Sequence, residues 1–219
     1  MNALPRLLAY LDSRVATRDD LGIRLAAVAA AGGDVALVAR QPRASTDALT
    51  ALAARCVANA TPPGAEVWVT GRVDVALATG ANGVIRRCQD LVIPAMRDAA
   101  DRSTTGPHLR HIASVHSVPE AEAAAAAGAD ALIVGTIWPS ASHPGGLMGG
   151  LALLEGAVRT GLPCYAIGGV TPERARAARA HGAHGIAAIG AIWDVPDSYQ
   201  AALELLASSE KREARHEQR

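Results

Sequence analysis

Short apolar runs recur along this chain at a steady interval, and four of them follow the same kind of preface. A stretch rich in Ala ends at Gly, a small or polar residue follows, and an apolar run then begins. The pattern occurs at Gly32 (AAAGGDVALV), Gly80 (ALATGANGVI), Gly128 (AAAAGADALIV) and Gly182 (ARAHGAHGIAAI), with successive spacings of 48, 48 and 54 residues. Gly tolerates the left-handed conformation that ends a helix, so each copy predicts helix, terminating Gly and strand. Four further apolar runs lie between the copies: Leu7–Leu11, Glu66–Thr70, His111–Ser114 and Cys164–Ile167. Interleaving the two sets predicts eight strands with a helix after each. Thr17, Ser45, Ser117 (before Pro119) and Thr171 (before Pro172 and Glu173) stand where N-caps are expected.

A period near 50 residues holding two βα units fits a closed parallel (β/α)8 TIM barrel. An open doubly wound sheet alternates similarly, but no GxGxxG follows the first strand. The expected domain is residues 1–207, followed by a charged tail at 208–219. One other segment leaves the rhythm: Gly135–Gly150 (GTIWPSASHPGGLMGG) reads as a long Gly/Pro/Ser loop after the sixth strand.

Composition narrows the picture. Half of the 219 residues are apolar, yet aromatics are 3% and Phe is absent, so the core must be built from Ala, Val, Leu and Ile. The 21 basic residues equal the 21 acidic ones, which leaves no basic field for nucleic acid or an anionic membrane. Cys56, Cys88 and Cys164 show no metal-ligand spacing and read as reduced thiols of a cytoplasmic protein. Leu7–Leu11 is too short for a signal segment or a membrane span.

In a barrel of this kind the chemistry sits on the loops that follow the strands. After the seventh strand comes Gly168-Gly169-Val170 and a helix opening at Thr171; after the eighth comes Ile189-Gly190. Small residues let backbone N–H groups approach a ligand, and a helix N-terminus adds partial positive charge, so the two loops predict a phosphate site. The loop after the sixth strand offers Ser140, Ser142 and His143 beside Trp138, with glycines at 145, 146, 149 and 150 that would let it close over a bound molecule. His116, after the fifth strand, serves either as a general acid or base or as a structural holder of its loop. His108, His111, His181 and His184 read as surface or structural. No HxH or HExxH pattern points to a transition metal.

At these residues the chain resembles the thiamine phosphate synthase/TenI superfamily of (β/α)8 barrels. The similarity runs from about Val35 to Ile192 and is carried by TGRVDVALATGANGV, ASVHS, GADALIVGTIWPSASHPGG and AIGGVTPERARAARAHGAHGIAAIGAI. The resemblance implies that Gly168, Gly169, Ile189 and Gly190 hold a thiazole phosphate. Ser140 and Ser142 match a Thr-x-Thr pair of these proteins, and Ser114 matches a Ser after strand 5. The synthase branch couples a pyrimidine diphosphate to the thiazole phosphate with Mg2+. Its Gln-x-Arg-x-Lys signature reads Ala39-Arg40-Gln41-Pro42-Arg43 here, keeping a cation at Arg43 in the last position. Its Asn-Asp reads Thr70-Gly71, and its Gly-Gln-Asp/Glu-Asp reads Arg87-Cys88-Gln89-Asp90, leaving Asp90 as the one metal-binding carboxylate.

The TenI branch, similar to thiazole tautomerases, shares Gly71-Arg72-Val73-Asp74 and Ser114-Val115-His116-Ser117 with this chain and needs neither metal nor diphosphate site. Its reaction requires a base, and the His it carries after strand 6 is Thr136 here. His116 or His143 must then relay the proton. The resemblance therefore implies first an aromatising tautomerase that binds a thiazole phosphate, with no cofactor and a possible homodimer. The alternatives are a divergent synthase using Mg2+, or a barrel that binds the phosphate ligand without turnover.

Overall fold

Eight parallel strands close on themselves in chain order, β8 pairing back onto β1. They are β1 (Leu7–Leu11), β2 (Val35–Ala39), β3 (Glu66–Thr70), β4 (Gly83–Arg87), β5 (Arg110–Val115), β6 (Ala131–Gly135), β7 (Cys164–Ile167) and β8 (Gly185–Ala188). This computed structural model describes residues 3–60, 64–87, 109–140 and 148–209. Among them the helices are α1 (Ser13–Ala16), α2 (Leu21–Ala29), α3 (Thr46–Asn59), α4 (Val73–Thr79), α5 (Val118–Ala126), α6 (Gly150–Val158), α7 (Pro172–Ala180), α8 (Gly190–Trp193) and α9 (Ser198–Ser208). The TIM barrel expected from the sequence is the observed fold. The helix expected after β4 lies outside the described residues.

The period-2 alternation of each strand separates two cores. Leu8, Tyr10, Val38, Trp68, Ile85, Ile112, Ile133 and Tyr165 point into the barrel, and their neighbours in sequence pack against the helices. With no Phe available, Tyr10, Trp68 and Tyr165 supply the rings of the interior, and Trp68 meets Tyr165 edge-on with centroids 5.9 Å apart. Small neighbours make the space, and a β-carbon on Gly83 would stand 3.0 Å from Trp68 Cδ1. The N-terminal mouth is closed by polar groups with assigned partners. Arg110 pairs with Glu66 at 3.0 Å, the Trp68 indole N–H donates to Glu66 Oε2 at 2.7 Å, and the Tyr165 hydroxyl donates to Pro5 O at 2.6 Å. In barrels of this architecture functional groups sit at the opposite, C-terminal mouth.

All four glycines predicted to end helices have positive φ, between 71° and 90°. Ser45, Ser117 and Thr171 each accept a hydrogen bond from the backbone N–H three residues on, at 3.2, 3.3 and 3.3 Å. Thr17 does not cap a helix start. It ends the single turn of α1, its hydroxyl donates back to Arg14 O at 3.1 Å, and Asp12 is the N-cap instead, accepting from Val15 N at 2.9 Å. The helical part also runs past 207: α9 ends at Ser208, and Ser209 is buried with its hydroxyl on Leu206 O at 2.8 Å. Cys56 and Cys164 are buried free thiols, both pushed up to about 12 by burial, so neither is a thiolate near neutral pH; Cys88 lies outside the described residues.

Candidate active site at the C-terminal mouth

Gly168 and Gly169 follow β7 with φ of 100° and 59°, a conformation in which L side chains are strained. Space excludes a side chain as well. A β-carbon on Gly168 would stand 2.4 Å from Thr136 Cγ2, and one on Gly169 would stand 2.2 Å from Pro139 O and 3.0 Å from Arg174 Nη1. The two glycines are thus the floor on which the loop after β6 rests. Backbone bonds fix that contact, since Ile137 N donates to Ile167 O at 2.9 Å and Trp138 N to Gly168 O at 3.4 Å. Thr136 O in turn accepts from Gly149 N at 3.0 Å, which ties the loop's start to its end at α6. Ser140 is half-buried on this loop. Ser142 and His143 lie outside the described residues.

Ile189 follows β8 and is the N-cap of α8, the short extra helix after the last strand. The first N–H groups of such a helix have no intrahelical acceptor, and β7 and β8 are neighbours in the barrel, so this turn follows the strand next to the one that carries Gly168 and Gly169. Two contacts hold α8 in place. The buried Trp193 donates its indole N–H to Tyr10 O at 2.7 Å, and Arg14 forks onto Asp194, with Nη2 at 3.1 Å from Oδ2. That ion pair matters because Asp194 Oδ2 lies 2.8 Å from where a Gly190 β-carbon would stand. The guanidinium of Arg14 thus offsets the one carboxylate that stands against Gly190 among the described residues.

On the other side of the mouth, Ser114 is half-buried on the inner row of β5, opposite Ile133 of β6. His116 is exposed, but its ring is tethered. Nδ1 meets Gly135 O at the end of β6, and its backbone N–H donates to Glu120 Oε2 at 2.7 Å. A carbonyl only accepts, so Nδ1 carries a proton in this contact and Nε2 is left outside it. Both functions expected of His116 are compatible with this geometry: it ties two loops together and keeps one ring nitrogen outside the tie. Arg43 stands exposed in the turn before α3. Arg40, at the end of β2, is the residue of the inner row that continues Ala36 and Val38, and its charge acts on the buried Tyr10 hydroxyl, which burial holds above its ordinary range. Thr70, at the end of β3, has a buried hydroxyl oxygen without a hydrogen-bond partner among the described residues.

Arg72 forks onto Asp74 and donates to Thr46 Oγ1 at 2.8 Å, joining α3 to α4 and holding the Asp74 carboxyl below its usual range. Of the histidines read as structural, His111 is buried. His181 Nδ1 lies 2.8 Å from Ala177 O, and His184 Nε2 lies 3.2 Å from Leu4 O at the far mouth. Asp90 and His108 lie outside the described residues.

Sequence reasoning gave no role of their own to Arg40, Thr70 or Arg174. The signal for Arg174 was its place as the third residue of α7, where a cation opposes the helix dipole and requires a compensating partner.

Comparison with known proteins agrees with the architecture. Thiamine-phosphate synthase of Mycobacterium avium is 39% identical over 113 residues, 51% of this chain and 48% of that protein. The synthase of Chlorobium luteolum is 36% identical over 146 residues, 66% of each chain. The match therefore spans about half the length of the mycobacterial relative. The structure of thiamine phosphate pyrophosphorylase from Pyrococcus furiosus superposes with a TM-score of 0.76 at 29% identity, covering 93% of this chain and 95% of that one. The family described as thiamine monophosphate synthase matches residues 12–192, and the chain belongs to that family, the TMP-TENI family.

Proposed function

We propose that the chain is a divergent thiamine-phosphate synthase acting in the cytoplasm. The reading rests on one observation above the rest: two glycine loops, after β7 and β8, stand side by side at one mouth, and the first is roofed by the loop after β6. Backbone N–H groups of Gly168, Gly169 and Gly190 hold the phosphate of a thiazole phosphate, and Ser114 and Ser140 line the approach. The thiazole nitrogen then attacks the methylene carbon of hydroxymethylpyrimidine diphosphate. A C–N bond forms, the C–O bond breaks, and diphosphate leaves with the bonding pair. Arg40, next in the inner row after Ala36 and Val38, meets the charge of the leaving group, with Arg43 in the following turn.

The resemblance brings Mg2+ with this reaction, but the described residues do not fit the ion. Thr70 and Gly71 stand where a carboxylate is wanted, and no group of three His, Cys, Asp or Glu among the described residues is placed to hold a metal. No step is drawn through a metal. A phosphate monoester and a pyrimidine diphosphate are small-molecule partners. Among the described residues, no helix is long and apolar enough to cross a membrane.

The synthase reading displaces the tautomerase that the sequence favoured, because the relatives described above are synthases and none is a tautomerase. One observation still favours the tautomerase: the His116 ring is held through Nδ1 on Gly135 O, which leaves Nε2 as the nitrogen for proton transfer. A single assay separates them. Purified protein given both substrates and Mg2+ is expected to form thiamine phosphate above the buffer rate. Absence of product, together with aromatisation of the thiazole tautomer that His116→Ala abolishes, would overturn the synthase in favour of the tautomerase.

A further inference from the structure

Among the described residues around the glycine loops the charges do not cancel, and Arg174 is left over. Asp194 is taken by Arg14, and Glu173 is held by Thr171 Oγ1 at 3.0 Å and by Arg176 at 3.3 Å. Arg174 has no carboxylate partner among the described residues. Its half-buried guanidinium donates from Nη1 to Gly169 O at 2.6 Å and lies over the Trp138 ring, with Cζ 5.7 Å from the centroid. Nη1 is 3.0 Å from where a β-carbon of Gly169 would stand, so the cation touches the loop that faces the ligand. One carbonyl engages one of its five N–H donors, and no other hydrogen bond of this guanidinium falls among the described residues.

Its position in the helix makes the case independently. Thr171 caps α7, so Arg174 is its third residue, with its charge at the positive end of the dipole. A cation there is unfavourable in the empty protein and becomes favourable once an anion sits at the same helix start. The stacked Trp138 and the Gly169 carbonyl keep the side chain folded back toward the loop rather than out into solvent.

We propose that Arg174 is a phosphate-binding residue that supplies the full positive charge of this site, its free N–H donors meeting a phosphate monoester dianion held by the Gly168–Gly169 loop. The proposal rests on the phosphate site proposed above. Titration with inorganic phosphate, followed by 31P NMR at several salt concentrations, tests it on three proteins. Arg174→Met keeps the stem over Trp138 and removes the charge; it is expected to weaken binding roughly ten- to a hundredfold and to flatten the salt dependence of affinity. Arg174→Lys keeps the charge and is expected to recover part of the loss. Arg174→Met binding like the unaltered protein overturns the proposal, as does weakened binding with an unchanged salt dependence, which would leave Arg174 a holder of the loop only. If the unaltered protein binds no phosphate, the site itself is wrong and Arg174 loses its ligand with it.

Discussion

Gly169→Asp is expected to reduce affinity for thiazole phosphate by at least about a hundredfold, close to 3 kcal/mol. Two effects add. A β-carbon at 2.2 Å from Pro139 O forces the loop after β6 off its seat, and a carboxylate puts a negative charge where the ligand brings its own. Gly169→Ala separates the two, since it carries the steric cost without the charge and should fall between the parent and Gly169→Asp. Calorimetric titration of both variants, with their melting temperatures as a folding control, measures the effect. Parent-like affinity in Gly169→Asp would mean that the phosphate sits elsewhere.

Trp68→Ala should cost stability rather than binding. The indole is fully buried in the barrel interior, edge-on to Tyr165, with its N–H satisfied by Glu66. Emptying that volume leaves a cavity that short neighbours such as Ala36 and Gly83 cannot fill, and it leaves Glu66 short of a donor. Losses of about 3–5 kcal/mol are usual for such a truncation, a fall of roughly 6–20 °C in Tm for a chain of this size. The phosphate loops at the opposite mouth are carried by the ends of β7 and β8, so thiazole phosphate affinity measured well below Tm should stay within about twofold. A fall of only one or two degrees would show that the ring is not the keystone of the interior.

The barrel was legible because parallel strands covered on both faces read as unbroken apolar runs, and because each of four helices ends at a Gly that the chain geometry requires. Leu7–Leu11, Glu66–Thr70 and Cys164–Ile167 were placed to the residue. The two glycine loops were legible for a related reason, since Gly168-Gly169 and Gly190 stand directly after the apolar runs of β7 and β8. What resisted reading depends on which way a side chain faces. At the end of β2 a shift of one residue moves a group from the wall into the mouth; the inner row of Ala36 and Val38 continues to Arg40, and Arg43 stands in the turn before α3. Thr17 failed as a cap because α1 is a single turn whose existence no periodicity announces. Arg174 was hidden because its partners, Gly169 and Trp138, reach it only through the seating of one loop on another.

The central claim is a place: a phosphate group between the loop after β7 and the start of α8. A crystal soaked with thiazole phosphate tests it most directly. The account predicts phosphate density within hydrogen-bond reach of the backbone N–H groups of Gly169 and Gly190, with the guanidinium of Arg174 turned toward it. Density at the β2–β3 side of the mouth, with the glycine loops empty, would contradict it.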